Sequence, residues 1–243
     1  MLIINADDMG RNPIASDAII ECYEHNKITS TSFMVFMEDS ERSAELVLSK
    51  GLEVGLHLNF SEKYTGNNVP RSLEMEQKRI SFFLKKNKYS TVLYNPLLVS
   101  SFRLVFDYQL QEFTRLFGRL PTHYDGHQHY HLAMNILVNK LIPKGSNVRR
   151  NFSFLKGERN IFNRFYRYSV DSFLARNYVV TDYFYSLPSD LIIESFKKII
   201  DNSHNAVVEL MVHPEREREN RFLLGENFLD VLSKVELASH VQM

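Results

Sequence analysis

Carboxylates and imidazoles able to hold a cation or move a proton fall in four places in this chain. Asp7 and Asp8 follow LIINA, His57 closes EVGLH, Asp125, His127, His129 and His131 follow THY, and Glu209 and His213 bracket the end of VVELMVHP. Two adjacent carboxylates beside a buried strand are costly unless something compensates them, so Asp7 and Asp8 read either as partners of a metal ion or as a helix N-cap. Successive residues of an extended chain point in different directions, which lets one carboxylate bind metal while the other faces a substrate. The run DGHQHYH is more specific, because on an extended backbone His127, His129 and His131 stand on one side. Two imidazoles and one carboxylate make a facial site with positions left for water and substrate, a donor set that hydrolases and non-haem iron oxygenases both use. His213, just before Pro214, could act as general acid to a leaving amine, since an imidazole titrates near neutral pH. His25, His204 and His240 read as ordinary core or surface histidines.

Each of these groups sits just past a short apolar run, and the short runs alternate with longer periodic segments, the pattern of βα units around a parallel sheet. Strands are expected at Leu2 to Ala6, Thr31 to Phe36, Glu53 to Asn59, Thr122 to Asp125, Asn147 to Arg150, Tyr178 to Thr181 and Ala206 to Val212. Helices are expected at Ile14 to His25, Ser40 to Ser49, Leu73 to Lys86, Pro96 to Phe117, Leu132 to Leu141 and Ser189 to Asn202, with a loop from Ser61 to Arg71. In such folds the carboxyl ends of the strands converge, which would bring the four groups to one place. The Phe-, Tyr- and Arg-rich stretch from Phe152 to Asn177 suits a packed helix, a lid or a subunit contact, and the charge run from Arg216 to Arg221 a solvated helix start. There is no GxSxG elbow, no GxxxxGK[ST] loop and no GxGxxG fingerprint, so a nucleotide cofactor is not expected.

The 243 residues carry 29 Lys+Arg and 29 Asp+Glu, with 44% hydrophobic residues. Zero net charge argues against a nucleic-acid partner, and the hydrophobic content argues against a disordered chain. Residues 1–243 are expected to form a single α/β domain. Cys22, the lone cysteine, sits in an amphipathic helical pattern and reads as a small apolar residue. The start MLIINADDMG has neither the basic leader nor the apolar length of a signal peptide, and no run of ~18 apolar residues suggests a membrane partner, so the expected location is cytoplasmic.

The motifs together resemble the YdjC-like carbohydrate deacetylases, which include the ChbG-type chitooligosaccharide deacetylases. INADDMG is similar to that family's NADDFG, GLEVGLHLNF to its GLHLNLT, PTHYDGHQHYH to its HLDGHQHxH, VRR to its arginine-bearing strand, and VTDYFYS and VELMVHPE to its later segments. The resemblance implies a (β/α) barrel-like, TIM-barrel-like fold and removal of an N-acetyl group from an amino sugar or oligosaccharide. It implies a divalent metal cation on Asp8, His57 and His127; two imidazoles lean towards Zn²⁺, whereas the family is often described with Mg²⁺. It places Asp7 as catalytic base, His213 as the second catalytic group and Arg149 on the strand arginine. Arg149 is read beside this as a help to the oxyanion or a substrate contact, Asp125 as a support or substrate contact, and His129 and His131 as supports, substrate contacts or ligands to a second ion. A small N-acetylated metabolite as substrate, a silent sugar-binding protein and a homodimer are further readings. Met9 stands where the family has Phe, and Glu215 where it has the Gly of HPG.

Overall fold

A computed structural model describes residues 1–153, 161–188 and 193–243. Seven strands form one parallel sheet: β1 (Leu2–Met9), β2 (Ser30–Phe33), β3 (Glu53–Leu58), β4 (His123–Gly126), β5 (Asn147–Val148), β6 (Tyr183–Ser186) and β7 (Val208–Val212), in the order β5-β4-β3-β2-β1-β7-β6. Around them run α1 (Pro13–Glu24), α2 (Ser40–Lys50), α3 (Arg71–Lys85), α4 (Val99–Phe117), α5 (Met134–Val138), α6 (Ile161–Asn177), α7 (Ile193–Ser203), α8 (Glu217–Leu224) and α9 (Glu226–Leu232). The sheet curls into a half-barrel, the barrel-like α/β architecture that the βα pattern predicts. Beyond β5 the chain closes on β6: the Ser153 N–H donates to the Phe184 carbonyl at 2.8 Å, and Asn147 bridges Val179.

The strands carry two kinds of residue at alternate positions. Outward side chains, including Leu2, Ile4, Phe33, Val54, Leu56 and Leu210, join one apolar cluster with the helices. Phe33, for example, meets Phe117 edge-on at 4.9 Å between ring centroids, linking β2 to α4. Inward positions are polar instead: Asn5 and Asp7 on β1, Ser30 and Ser32 on β2, His57 on β3, His123 and Asp125 on β4, and Glu209 on β7 are all buried. Side-chain hydrogen bonds run across this interior from Ser30 to Asn5, from Asn5 to Ser32 and from Ser32 to Asp125, each 2.7 Å long. Gly55 provides the room for them. A Cβ there would lie 2.4 Å from the His123 ring.

The helices begin and end where local chemistry requires. Asn12 caps α1 by accepting from the Ala15 N–H at 2.9 Å with Pro13 in the first turn, and α4 stops at Gly118, whose φ of 65° is left-handed. Two expectations fail. The strand predicted at Tyr178 to Thr181 contributes only the Val179 bridge, and β6 lies at Tyr183–Ser186, because the ladder to β7 pairs Tyr183 with Val208. The helix predicted from Leu132 to Leu141 is reduced to α5, since His127–Leu132 is a kinked turn with left-handed φ at Gln128 and His129, and Ala133 is extended. Part of the predicted helix from Ser189, and part of the aromatic stretch, lie outside the described residues; α6 occupies that stretch from Ile161 on. No helix among the described residues is long and apolar enough to cross a membrane.

Gly55→Ala is expected to lower stability by roughly 1–3 kcal/mol, because the added methyl group must displace the His123 imidazole in a filled interior. Urea denaturation of the two proteins measures this, and an unchanged midpoint would contradict the packing described for β3.

Candidate active site

The carboxyl ends of β1, β3, β4 and β7 open into a cleft of about 580 Å³ whose lining includes Asp7, Asp8, His57, His127, His129 and His213. β1 delivers two carboxylates with different surroundings. Asp8 has a left-handed φ of 71°, and the register between β1 and β2 shifts between Ala6 and Met9. Such strain in a non-glycine residue costs on the order of 1–3 kcal/mol and persists where the surroundings hold it. Here it turns Asp8 towards two imidazoles while Asp7 stays with an arginine.

Asp8 Oδ1 lies 3.3 Å from His57 Nε2 and 3.1 Å from His127 Nδ1. One ligand atom from each of Asp8, His57 and His127 fits within a common 4.8 Å, so the three form a candidate cation site. One hard oxygen and two borderline nitrogens suit a divalent ion such as Zn²⁺. Burial alone would push the Asp8 carboxyl up, but the hydrogen bonds and charges of His127 and His57 hold it well below the usual carboxylate range. Burial likewise pulls the His57 imidazolium down, and the charges of Asp125 and Asp7 with hydrogen bonds to Asp125 and Asp8 overcome it, raising the pKa to about 10.

His57 and Asp125 are direct partners across β3 and β4, which brings His57 Nδ1 to 2.9 Å from Asp125 Oδ1. Behind this pair lies Arg149, just past β5 and fully buried. Its Nη1 and Nη2 donate to the two Asp7 oxygens at 2.7 Å each, Nη1 also lies 2.7 Å from Asp125 Oδ2, and Nε donates to Glu209 at 2.7 Å. Arg149 therefore grips carboxylates from three strands and does not line the cleft. These partners and the buried position leave it no direct approach to a substrate oxygen.

The histidine run does not act as a unit. Gln128 and His129 have φ of 55° and 59°, so the backbone turns and the three imidazoles part. His127 alone joins Asp8 and His57. His131 Nε2 hydrogen-bonds the Arg149 carbonyl at 3.0 Å, and burial brings its pKa down to about 4, so it is neutral and donates there. His129 stays in the cleft against the edge of Phe152, at 4.5 Å between centroids, and burial lowers its pKa well below the ordinary value. His213 is half-buried in the same cleft, its backbone N–H held by Glu219 at 2.7 Å, and burial lowers its pKa against the opposing pull of Asp7.

Several participants escape sequence reasoning. Glu62 Oε2 lies 2.9 Å from His127 Nε2, and Arg11 reaches Glu62 at 2.9 Å and Asp8 at 3.4 Å. Both follow strand ends by a few residues, the same signal that singles out Asp8 and His57. At the opposite end of the strands His240 is buried, stacked on His123 at 3.7 Å between centroids, and close to Glu53 and Glu209 at 3.6 and 3.9 Å. Its reading as an ordinary histidine understates this place. Cys22 is buried and its thiol is pushed up to about 12 by that burial, as suits a small apolar residue.

Fold and site together define a parallel α/β half-barrel with a carboxylate–imidazole cluster at the carboxyl ends of its strands. Residues 1–237 match the family described as YdjC-like protein, and the chain belongs to that family. It is 33% identical over 136 residues to a carbohydrate deacetylase of Mus musculus, covering 56% of this chain and 44% of that protein. It is 31% identical over 137 residues to a chitooligosaccharide deacetylase of Proteus mirabilis, covering 56% and 52%. A chitooligosaccharide deacetylase of Enterobacter sp. strain 638 is 29% identical over 219 residues, 88% of this chain and 81% of that one. The first two matches thus span about half the length of those relatives. A solved structure from Enterococcus faecalis V583, named there as a candidate cellobiose-phosphate cleavage protein, has the same fold with a TM-score of 0.71 at 20% identity, covering 99% of this chain and 97% of its own.

The raised His57 pKa has a consequence for protein freed of divalent ions. Its stabilising contribution is fully present below about pH 6.5 and is lost as pH rises through about 10. Urea denaturation of chelator-treated protein across that range should show falling stability, with a shallower fall in His57→Gln; equal slopes would show that His57 does not carry the effect.

Proposed function

We propose that this chain is a metal-dependent hydrolase that removes the N-acetyl group from an acetylated amino sugar or oligosaccharide. The observation that carries this reading is the Asp8–His57–His127 donor group, opening on a cleft that Asp7 and His213 also line. The names of the relatives support the substrate class. The cleft volume of about 580 Å³ falls in the ~300–1,000 Å³ range of small-molecule sites, and Phe152, Leu187 and Met211 give it apolar surface for a methyl group and a sugar face.

A divalent ion held by Asp8, His57 and His127 would supply Lewis acidity towards the acetyl carbonyl and acidify a water molecule. Two nitrogen donors favour Zn²⁺ over Mg²⁺ for that place. Asp7 takes the proton from the attacking water. Its Oδ1 already accepts from Arg149 Nη2 and from Asn5 Nδ2, the latter at 2.9 Å, while Oδ2 accepts, among the described residues, from Arg149 Nη1 alone and keeps a lone pair for the proton. Arg149 fixes the direction in which that lone pair points. His213, which lines the same cleft, gives a proton to the departing nitrogen. The amide C–N bond breaks, the water oxygen bonds to the acyl carbon, and acetate and a free amine leave.

Acetate release from N-acetylated mono- and oligosaccharides, with and without chelator, tests the activity. Asp7→Asn should keep the metal and lose about 10²–10⁴-fold in turnover, whereas His127→Ala should lose the metal itself. Full metal content and full turnover in both variants would refute these assignments.

A further inference from the structure

We propose that Glu62 is the positioning residue of the cation site: its carboxylate holds His127 Nε2 so that Nδ1 faces the ion, and Arg11 holds Glu62 in that place. The inference rests on the reading that Asp8, His57 and His127 bind a divalent ion. The two nitrogens of an imidazole point away from one another, so a ring that offers one to an ion must offer the other elsewhere. In His127, Nδ1 is the nitrogen beside Asp8, at 3.1 Å, and Nε2 is the one beside Glu62, at 2.9 Å. A carboxylate at Nε2 keeps the ring proton there and leaves the Nδ1 lone pair free for the ion.

His57 shows the same device with the nitrogens exchanged. Its Nε2 faces Asp8 at 3.3 Å and its Nδ1 lies 2.9 Å from Asp125. Each ligand imidazole thus has a carboxylate behind it, but the two are held differently. Asp125 is part of a strand and fully buried. Glu62 lies past β3, and its side chain is 25% exposed, so its position must be built by other means.

The local structure builds it. Asn59 Oδ1 accepts from the Glu62 N–H at 2.8 Å, while the Glu62 carbonyl accepts from Asn59 Nδ2 at 2.8 Å and from Gln77 Nε2 of α3 at 2.7 Å. Arg11 completes a closed circuit, donating from Nε to Glu62 Oε1 at 2.9 Å and from Nη1 to Asp8 Oδ2 at 3.4 Å. Asp8, His127, Glu62 and Arg11 therefore fix one another in a ring, in which no member rotates without breaking a charge-assisted contact. Glu62 Oε2 sits on the Nε2 side of His127, away from the ligand nitrogen, which separates its role from that of a fourth ligand.

The test is Zn²⁺ affinity by competition with a chromophoric chelator, together with the visible spectrum of the Co²⁺-loaded protein. Glu62→Ala should weaken Zn²⁺ binding by roughly 10–100-fold, as loss of a carboxylate behind a ligand histidine does. Glu62→Gln keeps an oxygen that can accept from Nε2–H and should recover most of that loss. The Co²⁺ spectrum should keep the same coordination number in both variants, and thermal unfolding of the chelated proteins should be unchanged. Unaltered Zn²⁺ affinity in Glu62→Ala overturns the proposal, and so does a changed coordination number, which would make Glu62 a ligand. If the wild-type protein binds no divalent ion, the metal-site reading falls and this inference with it. If wild type binds and His127→Ala does not, while Glu62→Ala matches wild type, only the present inference fails.

Discussion

One buried guanidinium joins parts of this protein that a flat sheet would keep far apart. Arg149 follows β5, whereas Asp7 lies on β1, four strand positions away, which in a flat sheet would mean about 19 Å at ~4.8 Å per strand. The observed contacts are 2.7 Å long, so the sheet must curl until its inward faces meet. The same side chain holds Asp125 from β4 and Glu209 from β7. Three carboxylates in so small a volume would repel one another strongly, and leaving one buried charge without its partner typically costs about 3–5 kcal/mol. The planar fork of arginine, with five donors, meets all three at once and grips Asp7 with two parallel bonds, a bidentate geometry that the ammonium of lysine lacks.

From that interaction the site is assembled outwards. Arg149 fixes Asp7 and keeps Asp125 in place, Asp125 turns the His57 ring, and His57 faces Asp8. His131 is tied to the same residue through the Arg149 carbonyl. The inward polar stripe of the strands thus does the work that an apolar barrel interior does in other folds, and its members are specified by hydrogen bonds rather than by shape alone. Such a network is stable only when nearly every member is satisfied, which is why a strand glycine, Gly55, has to leave space for His123.

The donor group depends on two different supports. One is rigid, since Asp125 is carried by a strand and locked from behind by Arg149 and Ser32. The other is a turn, since Glu62 is placed by Asn59, Gln77 and Arg11. One imidazole of the candidate site is held from the strand side and another from the turn side, and both line the cleft with Asp8. Between His213 and Phe152 the cleft carries a mixed polar and apolar lining.

The order of residues alone sets the alternation of short apolar runs with amphipathic segments, and with it the parallel α/β architecture and the gathering of chemistry at strand ends. That gathering placed Asp7, Asp8, His57, His127 and His213 in one cleft, because strand termini converge whatever the loops do. Tertiary structure decided how they divide. Spacing made His127, His129 and His131 look equivalent, but left-handed backbone at Gln128 and His129 sends each to a different neighbour, and no local signal announces such a turn. Arg149 appeared as a strand arginine near a substrate, whereas only the curl of the sheet shows it buried among carboxylates. The strand at Tyr183 rather than Tyr178 was likewise chosen by its pairing with β7, a contact between residues far apart in the chain. One pattern was legible and easy to pass over: polar residues at alternate strand positions, Asn5 and Asp7, Ser30 and Ser32, His123 and Asp125, mark an interior that must be hydrogen-bonded rather than packed with hydrocarbon, because a pleated strand sends every second side chain to the same side.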